Sequence, residues 1–109
     1  MATRGKGSKA KGKNGELELM HVLRDTYGYK VRRGDCFRGE SDVIGLEGIH
    51  IEVKRVERLN IYNAINQAVE EAEKKGDGSP AVFHRINRAE WLVTLRLADF
   101  MDIYGEAYK

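Results

Sequence analysis

Residues 41–54, Ser41-Asp42-Val43-Ile44-Gly45-Leu46-Glu47-Gly48-Ile49-His50-Ile51-Glu52-Val53-Lys54, hold two short apolar-rich runs around a turn. Ser41 to Leu46 and Ile49 to Lys54 read as adjacent β-strands. In the second, Ile49, Ile51 and Val53 alternate with His50, Glu52 and Lys54, so a period of two sets the carboxylate and the amine on one face. The register depends on the turn. A three-residue loop, Leu46 to Gly48 with Gly48 left-handed, pairs Asp42 with Glu52, and two carboxylates so placed can hold a hard cation with the Lys54 ammonium beside it. A strict two-residue turn pairs Asp42 with Val53 and sends it to the other face. An amphipathic strand with a solvated Glu and Lys accounts for the same spacing, so the rest of the chain has to arbitrate.

The 109 residues, 41% of them hydrophobic, suffice for one core and are too few for two. One cysteine, Cys36, excludes an intramolecular disulfide framework and multi-cysteine zinc sites, which suits a reducing cytoplasm. No apolar stretch nears the roughly 20 residues that span a bilayer, and no signal-peptide core opens the chain, so no membrane partner is expected. Net charge is +2, but residues 1–13 carry Arg4, Lys6, Lys9, Lys11 and Lys13 with no acid and three glycines. That segment reads as a disordered basic tail able to meet polyanions, ahead of a single domain over residues 14–109. Further basic residues, Lys30, Arg32 and Arg33, Arg55 and Arg58, and Arg85, Arg88 and Arg96, are local to the folded part.

A helix is expected from Asn14 to about Thr26, with Leu19, Met20, Leu23 and Tyr27 on one stripe and Gly28 as terminator. Glu16 shares that stripe and Glu18 does not. An acid on an inward face is costly unless something binds it, although a first-turn carboxylate is also favoured by the helix dipole. Tyr29 to Arg33 reads as a strand before the pair already described. A second helix should run from Ile61 to Lys75 on an apolar face of Ile61, Ile65, Ala68, Val69 and Ala72, capped by Asn60 and ended by Gly76, with Gln67 at the edge of that face. The polar linker Gly76 to Pro80, strands Ala81 to Arg85 and Trp91 to Leu95, and a final helix with Leu97, Phe100, Met101 and Tyr104 on one stripe complete the order αβββαββα. This is a small α/β sandwich. Phe83 and Trp91 read as core residues, and no pair of His21, His50 and His84 has zinc-ligand spacing.

The order of elements, with Gly15-Glu16-Leu17-Glu18-Leu19, Ser41-Asp42-Val43-Ile44-Gly45, Ile51-Glu52-Val53-Lys54 and Gln67, resembles the PD-(D/E)xK nuclease superfamily, and within it the small Holliday junction resolvase-like and virus-type replication-repair nucleases. The resemblance spans roughly residues 12–104. Ser41 stands where the superfamily name has proline, and serine tolerates the same extended backbone. The fold implied is a restriction-endonuclease-like core, a mixed β-sheet flanked by helices. The resemblance makes Asp42 and Glu52, with the carbonyl of Val53, ligands for Mg²⁺ or a substituting Mn²⁺. It makes Lys54 the residue that orients or deprotonates the attacking water, Glu16 an additional acid for metal or water, and Gln67 a supporting residue.

The expected function is a Mg²⁺-dependent DNA endonuclease, acting on branched DNA during phage or bacterial recombination, replication or repair, as a homodimer in the bacterial or infected-host cytoplasm. DNA contacts are expected from Arg4, Lys6, Lys9, Lys11, Lys13, Arg32, Arg33, Arg55, Arg85 and Arg88, with His84 to Arg88 as a cationic turn for phosphate. The alternatives are a nicking or flap-type nuclease, or a basic nucleic-acid-binding protein without cleavage.

Overall fold

A computed structural model describes the backbone of residues 3–109 and the side chains of residues 13–109. The elements are α1 (Thr3–Asp25), β1 (Arg32–Arg33), a 3₁₀ turn (Cys36–Arg38), β2 (Val43–Ile44), β3 (Ile49–Lys54), α2 (Ile61–Lys75), β4 (Ser79–His84), β5 (Leu92–Thr94) and α3 (Leu97–Ala107). The expected order αβββαββα is therefore present. The five strands lie side by side as β1-β2-β3-β4-β5, with β3 and β4 parallel and the other neighbours antiparallel. Parallel neighbours need a crossover, and α2 supplies it.

The hairpin takes the three-residue alternative. Gly48 has φ +83°, a conformation open to glycine at little cost, and the Ile49 amide donates to the Leu46 carbonyl at 3.1 Å. Val43 then pairs with Ile51, a register that sets Asp42 opposite Glu52.

The two faces of the sheet are covered by different helices. Leu19, Met20 and Leu23 of α1 pack with Val31, Val43, Ile51, Ala81 and Phe83, with Trp91 at the margin. Ala64, Ile65 and Ala68 of α2 pack around Val82 on the other side. Since Ile51 faces α1, strand alternation turns His50 and Glu52 toward α2. The solvated-strand alternative fails here, because His50 and Glu52 are both buried.

α2 has the expected bounds. The Asn60 side chain accepts from the Asn63 amide, and Gly76, at φ +61°, closes the last turn. Several boundaries differ from the expectation. β1 and β2 are two-residue strands, shorter than Tyr29 to Arg33 and Ser41 to Leu46. Close backbone approaches bound the ladder at both ends: a Cβ at Gly34 would stand 1.6 Å from the Ser41 carbonyl oxygen, and one at Gly45, φ +131°, would stand 2.7 Å from the Lys30 carbonyl oxygen. β4 begins earlier, at Ser79, within what reads as a linker, and Pro80 is tolerated near the strand's start. Tyr27 is exposed and leaves the apolar stripe of α1, which ends at Asp25. α1 starts ahead of Asn14, through glycines that helix propensity disfavours. The expectation of a disordered basic tail rests on side chains that fall almost wholly outside the described residues.

The stripe of α3 is not buried in the chain. Leu97, Phe100, Met101 and Tyr104 are exposed, as are Leu92 and Val93 of β5. Only Asp99 of α3 is buried, held by Arg96 at 2.8 Å.

Candidate metal and active site

Asp42 and Glu52 reach their places by different means. Glu52 is set by strand alternation in the middle of β3. Asp42 precedes β2 and is held by its own side chain, Oδ2 accepting from the Val53 amide at 2.8 Å. Both line one cleft of about 300 Å³ together with Gln67, which α2 presents from above. Glu71 and Lys75, one and two turns further along α2, line the same cleft, and so does the exposed Cys36.

Burial and the facing Glu52 carboxylate push the Asp42 carboxyl up to about 7, with a smaller contribution from the charge of Glu16. Burial pushes Glu52 in the same direction, but His50, Asp42 and the Lys54 ammonium outweigh it and leave Glu52 below the ordinary carboxylate range. The pair thus shares a proton, Asp42 holding it and Glu52 carrying the charge. A divalent cation removes the need for that proton, so this donor set suits a hard metal.

Glu16 stands apart from the pair. Its Oε1 accepts from Arg33 Nε at 3.0 Å, and among the described residues no three acids, histidines or cysteines gather closely enough to hold a metal by themselves. Two protein carboxylates with water in the remaining positions is the arrangement Mg²⁺ ordinarily takes. Gly15 brings this part of α1 against the end of β3, where a Cβ would stand 2.5 Å from Arg55 Cβ. Lys54 is half-buried two residues from Glu52, on the same strand face.

Four of the arginines named for DNA are tied to acids. Arg32 forms a two-pronged pair with Glu40 at 2.9 and 2.6 Å, and Arg33 is held by Glu16. Arg55 reaches Glu18 at 3.4 Å and Asn87 at 2.8 Å, while Arg85 makes a close pair with Glu18. Glu18, expected to need no partner, thus anchors two arginines from the ends of β3 and β4. Arg88 is exposed, at φ +61°. Lys13 is exposed, and the side chains of Arg4, Lys6, Lys9 and Lys11 lie outside the described residues.

Sequence reasoning gave no role to His50 or Asp77. His50, noted only for lacking a histidine partner at zinc-ligand spacing, is enclosed: Nδ1 lies 2.8 Å from Ser41 Oγ and 2.9 Å from Asp77 Oδ1. The Ser41 hydroxyl also donates to Asp77 Oδ2 in a short contact. Burial lowers the His50 pKa, but Glu52 and Asp77 outweigh it and leave it raised. Asp77 is moved up by burial and further down by Ser41 and His50, ending below its usual range. The available signal was the alternation that sets His50 beside Glu52. Nothing local pointed to Asp77. His84, by contrast, pairs with Thr94 across β4 and β5 at 2.8 Å, away from this cluster.

An antiparallel β1-β2-β3 unit, a helical crossover to a parallel β4 and an acidic pair at the β2–β3 hairpin define a mixed α/β core of the restriction-endonuclease-like, PD-(D/E)xK type. The Holliday junction resolvase Hjc of the archaeal hyperthermophile Archaeoglobus fulgidus is similar in structure, with 25% sequence identity, a TM-score of 0.56, and coverage of 78% of this chain and 72% of that one. No family model and no curated protein matches the chain.

Proposed function

We propose that the protein is a divalent-metal-dependent endonuclease that hydrolyses phosphodiester bonds in branched DNA, in phage or bacterial recombination, replication or repair. The observation that carries this reading is Asp42 facing Glu52 in a cleft, with Lys54 next on the same strand face, in a fold similar to that of a junction resolvase. Among the described residues no helix is long and apolar enough to cross a membrane.

Asp42, Glu52 and the carbonyl of Val53 would hold Mg²⁺, or Mn²⁺ in its place. When bound, the metal supplies positive charge to the phosphoryl oxygens and acidifies water. The chain's own residues do the rest. The Val53 amide keeps Asp42 aimed into the cleft, and Lys54 orients the attacking water and opposes charge on the pentavalent phosphorus. Glu16 adds an acid at the edge of the site, and Gln67 limits the cleft from α2. Arg88, with the basic residues of 1–13, would meet phosphates along the DNA arms. Arg32, Arg33, Arg55 and Arg85 present guanidinium groups that their acid partners hold in place, and these are suited to phosphate once DNA displaces or shares a partner.

The exposed stripe of α3, continued by Leu92 and Val93, supports a two-fold dimer, since apolar surface of this kind marks association. Two sites related by two-fold symmetry suit paired cuts in a four-way junction.

The test uses end-labelled four-way junction, flap, nicked duplex and linear duplex with Mg²⁺, and Ca²⁺ as a substitute that permits binding only. Paired incisions in the junction, ahead of linear duplex, are expected. Equal cutting of linear duplex, or single nicks alone, would leave a nuclease of the nicking or flap type. No cutting of any substrate would leave a DNA-binding protein.

A further inference from the structure

On the α2 side of β3 lies a polar cluster that the proposed hydrolysis does not use. His50 is 1% exposed, and its Nδ1 faces Asp77 and Ser41. Its Nε2 is buried with no hydrogen-bond partner, and lies 3.6 Å from Glu52 Oε1. An unsatisfied buried donor costs on the order of 1–3 kcal/mol, so an imidazole kept this close to a carboxylate needs an explanation. With Nδ1 held by Ser41 and Asp77 the ring is fixed in its plane, and Nε2 is left facing the Glu52 carboxylate.

The turn that delivers Asp77 is specialised. Gly78 has φ +132°, and a Cβ there would stand 2.4 Å from the carbonyl carbon of Gly48. The Ser79 amide donates to the Gly48 carbonyl at 2.8 Å. The α2–β4 turn is thereby seated against the β2–β3 turn, and Asp77 comes to the imidazole from a distant part of the chain.

We propose that His50 is a positioning residue for Glu52, and that Asp77 and Ser41 lock its ring so that Nε2 sets the direction in which Glu52 presents its carboxylate to a divalent cation. This rests on the metal reading of Asp42 and Glu52. Partners of this kind behind a ligand ordinarily change metal affinity or activity by roughly 10–100-fold when removed.

The experiment titrates Mn²⁺ into the full chain, following the free-ion signal by electron paramagnetic resonance, for the wild type, Asp42→Asn, His50→Leu, His50→Gln, Asp77→Ala and Asp77→Asn. Thermal unfolding is measured in parallel. His50→Leu should weaken Mn²⁺ binding by roughly 10–100-fold. His50→Gln, whose amide can donate toward Glu52, should recover part of that loss, and Asp77→Ala should weaken binding more than Asp77→Asn. Should His50→Leu fail to fold, the partly exposed Asp77 pair carries the test. Wild-type Mn²⁺ affinity in folded His50 or Asp77 variants, with binding still lost in Asp42→Asn, overturns this inference alone. No Mn²⁺ binding by the wild type overturns the metal reading and this inference with it.

Discussion

Two carboxylates that face each other in a half-closed cleft cannot both stay ionised without a cation between them, and Asp42 and Glu52 answer by sharing a proton. With Asp42 raised from an ordinary 3.8 to about 7, the folded chain binds more protons than the unfolded chain between those values. The stability from that proton is present in full below pH 4 and is lost as pH rises through 7. In EDTA, therefore, Asp42→Asn should raise the melting temperature more at pH 8 than at pH 5, since the amide keeps the bond from Val53 and carries no charge. A pH-independent gain would show that Asp42 ionises normally. Under turnover conditions the same substitution should cost about 100-fold or more in cleavage, as should Glu52→Gln and Lys54→Ala, with folding retained. Near-normal turnover of purified Asp42→Asn would remove the site as described.

Among the elements, the two turns that meet at Gly48 and Gly78 control where the site's residues fall. Gly78 combines a left-handed backbone with backbone atoms where a Cβ would stand, whereas exposed Gly39, at φ +69°, has nothing within 4 Å of that position. Gly78→Ala should destabilise by about 2 kcal/mol or more, and Gly39→Ala by only about 1 kcal/mol, because the first adds a clash to the strain and the second adds strain alone. Urea unfolding of both variants measures the difference. Equal losses would mean that the turns do not press on each other.

At the scale of the whole molecule, α3 leaves an apolar stripe facing outward, with Leu97 76% exposed and Tyr104 stacked on Tyr108 at 4.8 Å between ring centroids. Sedimentation equilibrium should find a dimer that the double substitution Leu97→Asp, Phe100→Asp converts to a monomer. That monomer should still nick a junction while losing paired incisions. A wild-type monomer at tens of micromolar, or unchanged pairing of cuts in the variant, would rule out this surface as the two-fold interface.

Features settled by near neighbours were legible from the chain alone. Asn60 and Gly76 bound α2 because caps act within one turn, and the alternation in β3 sets Glu52 and Lys54 on one face because the pleat repeats every two residues. The hairpin was legible as two alternatives, and the Leu46 to Gly48 loop with left-handed Gly48 chose the one that faces Asp42 with Glu52. Tertiary structure alone decided the partners of the polar groups. His50 meets Asp77 across 27 positions, Arg55 meets Glu18 across 37, and Arg85 meets Glu18 across 67. A charged side chain looks the same in sequence whether water or another charge satisfies it. Which one does so depends on how α1, β3 and the α2–β4 turn close on one another, and packing sets that closure.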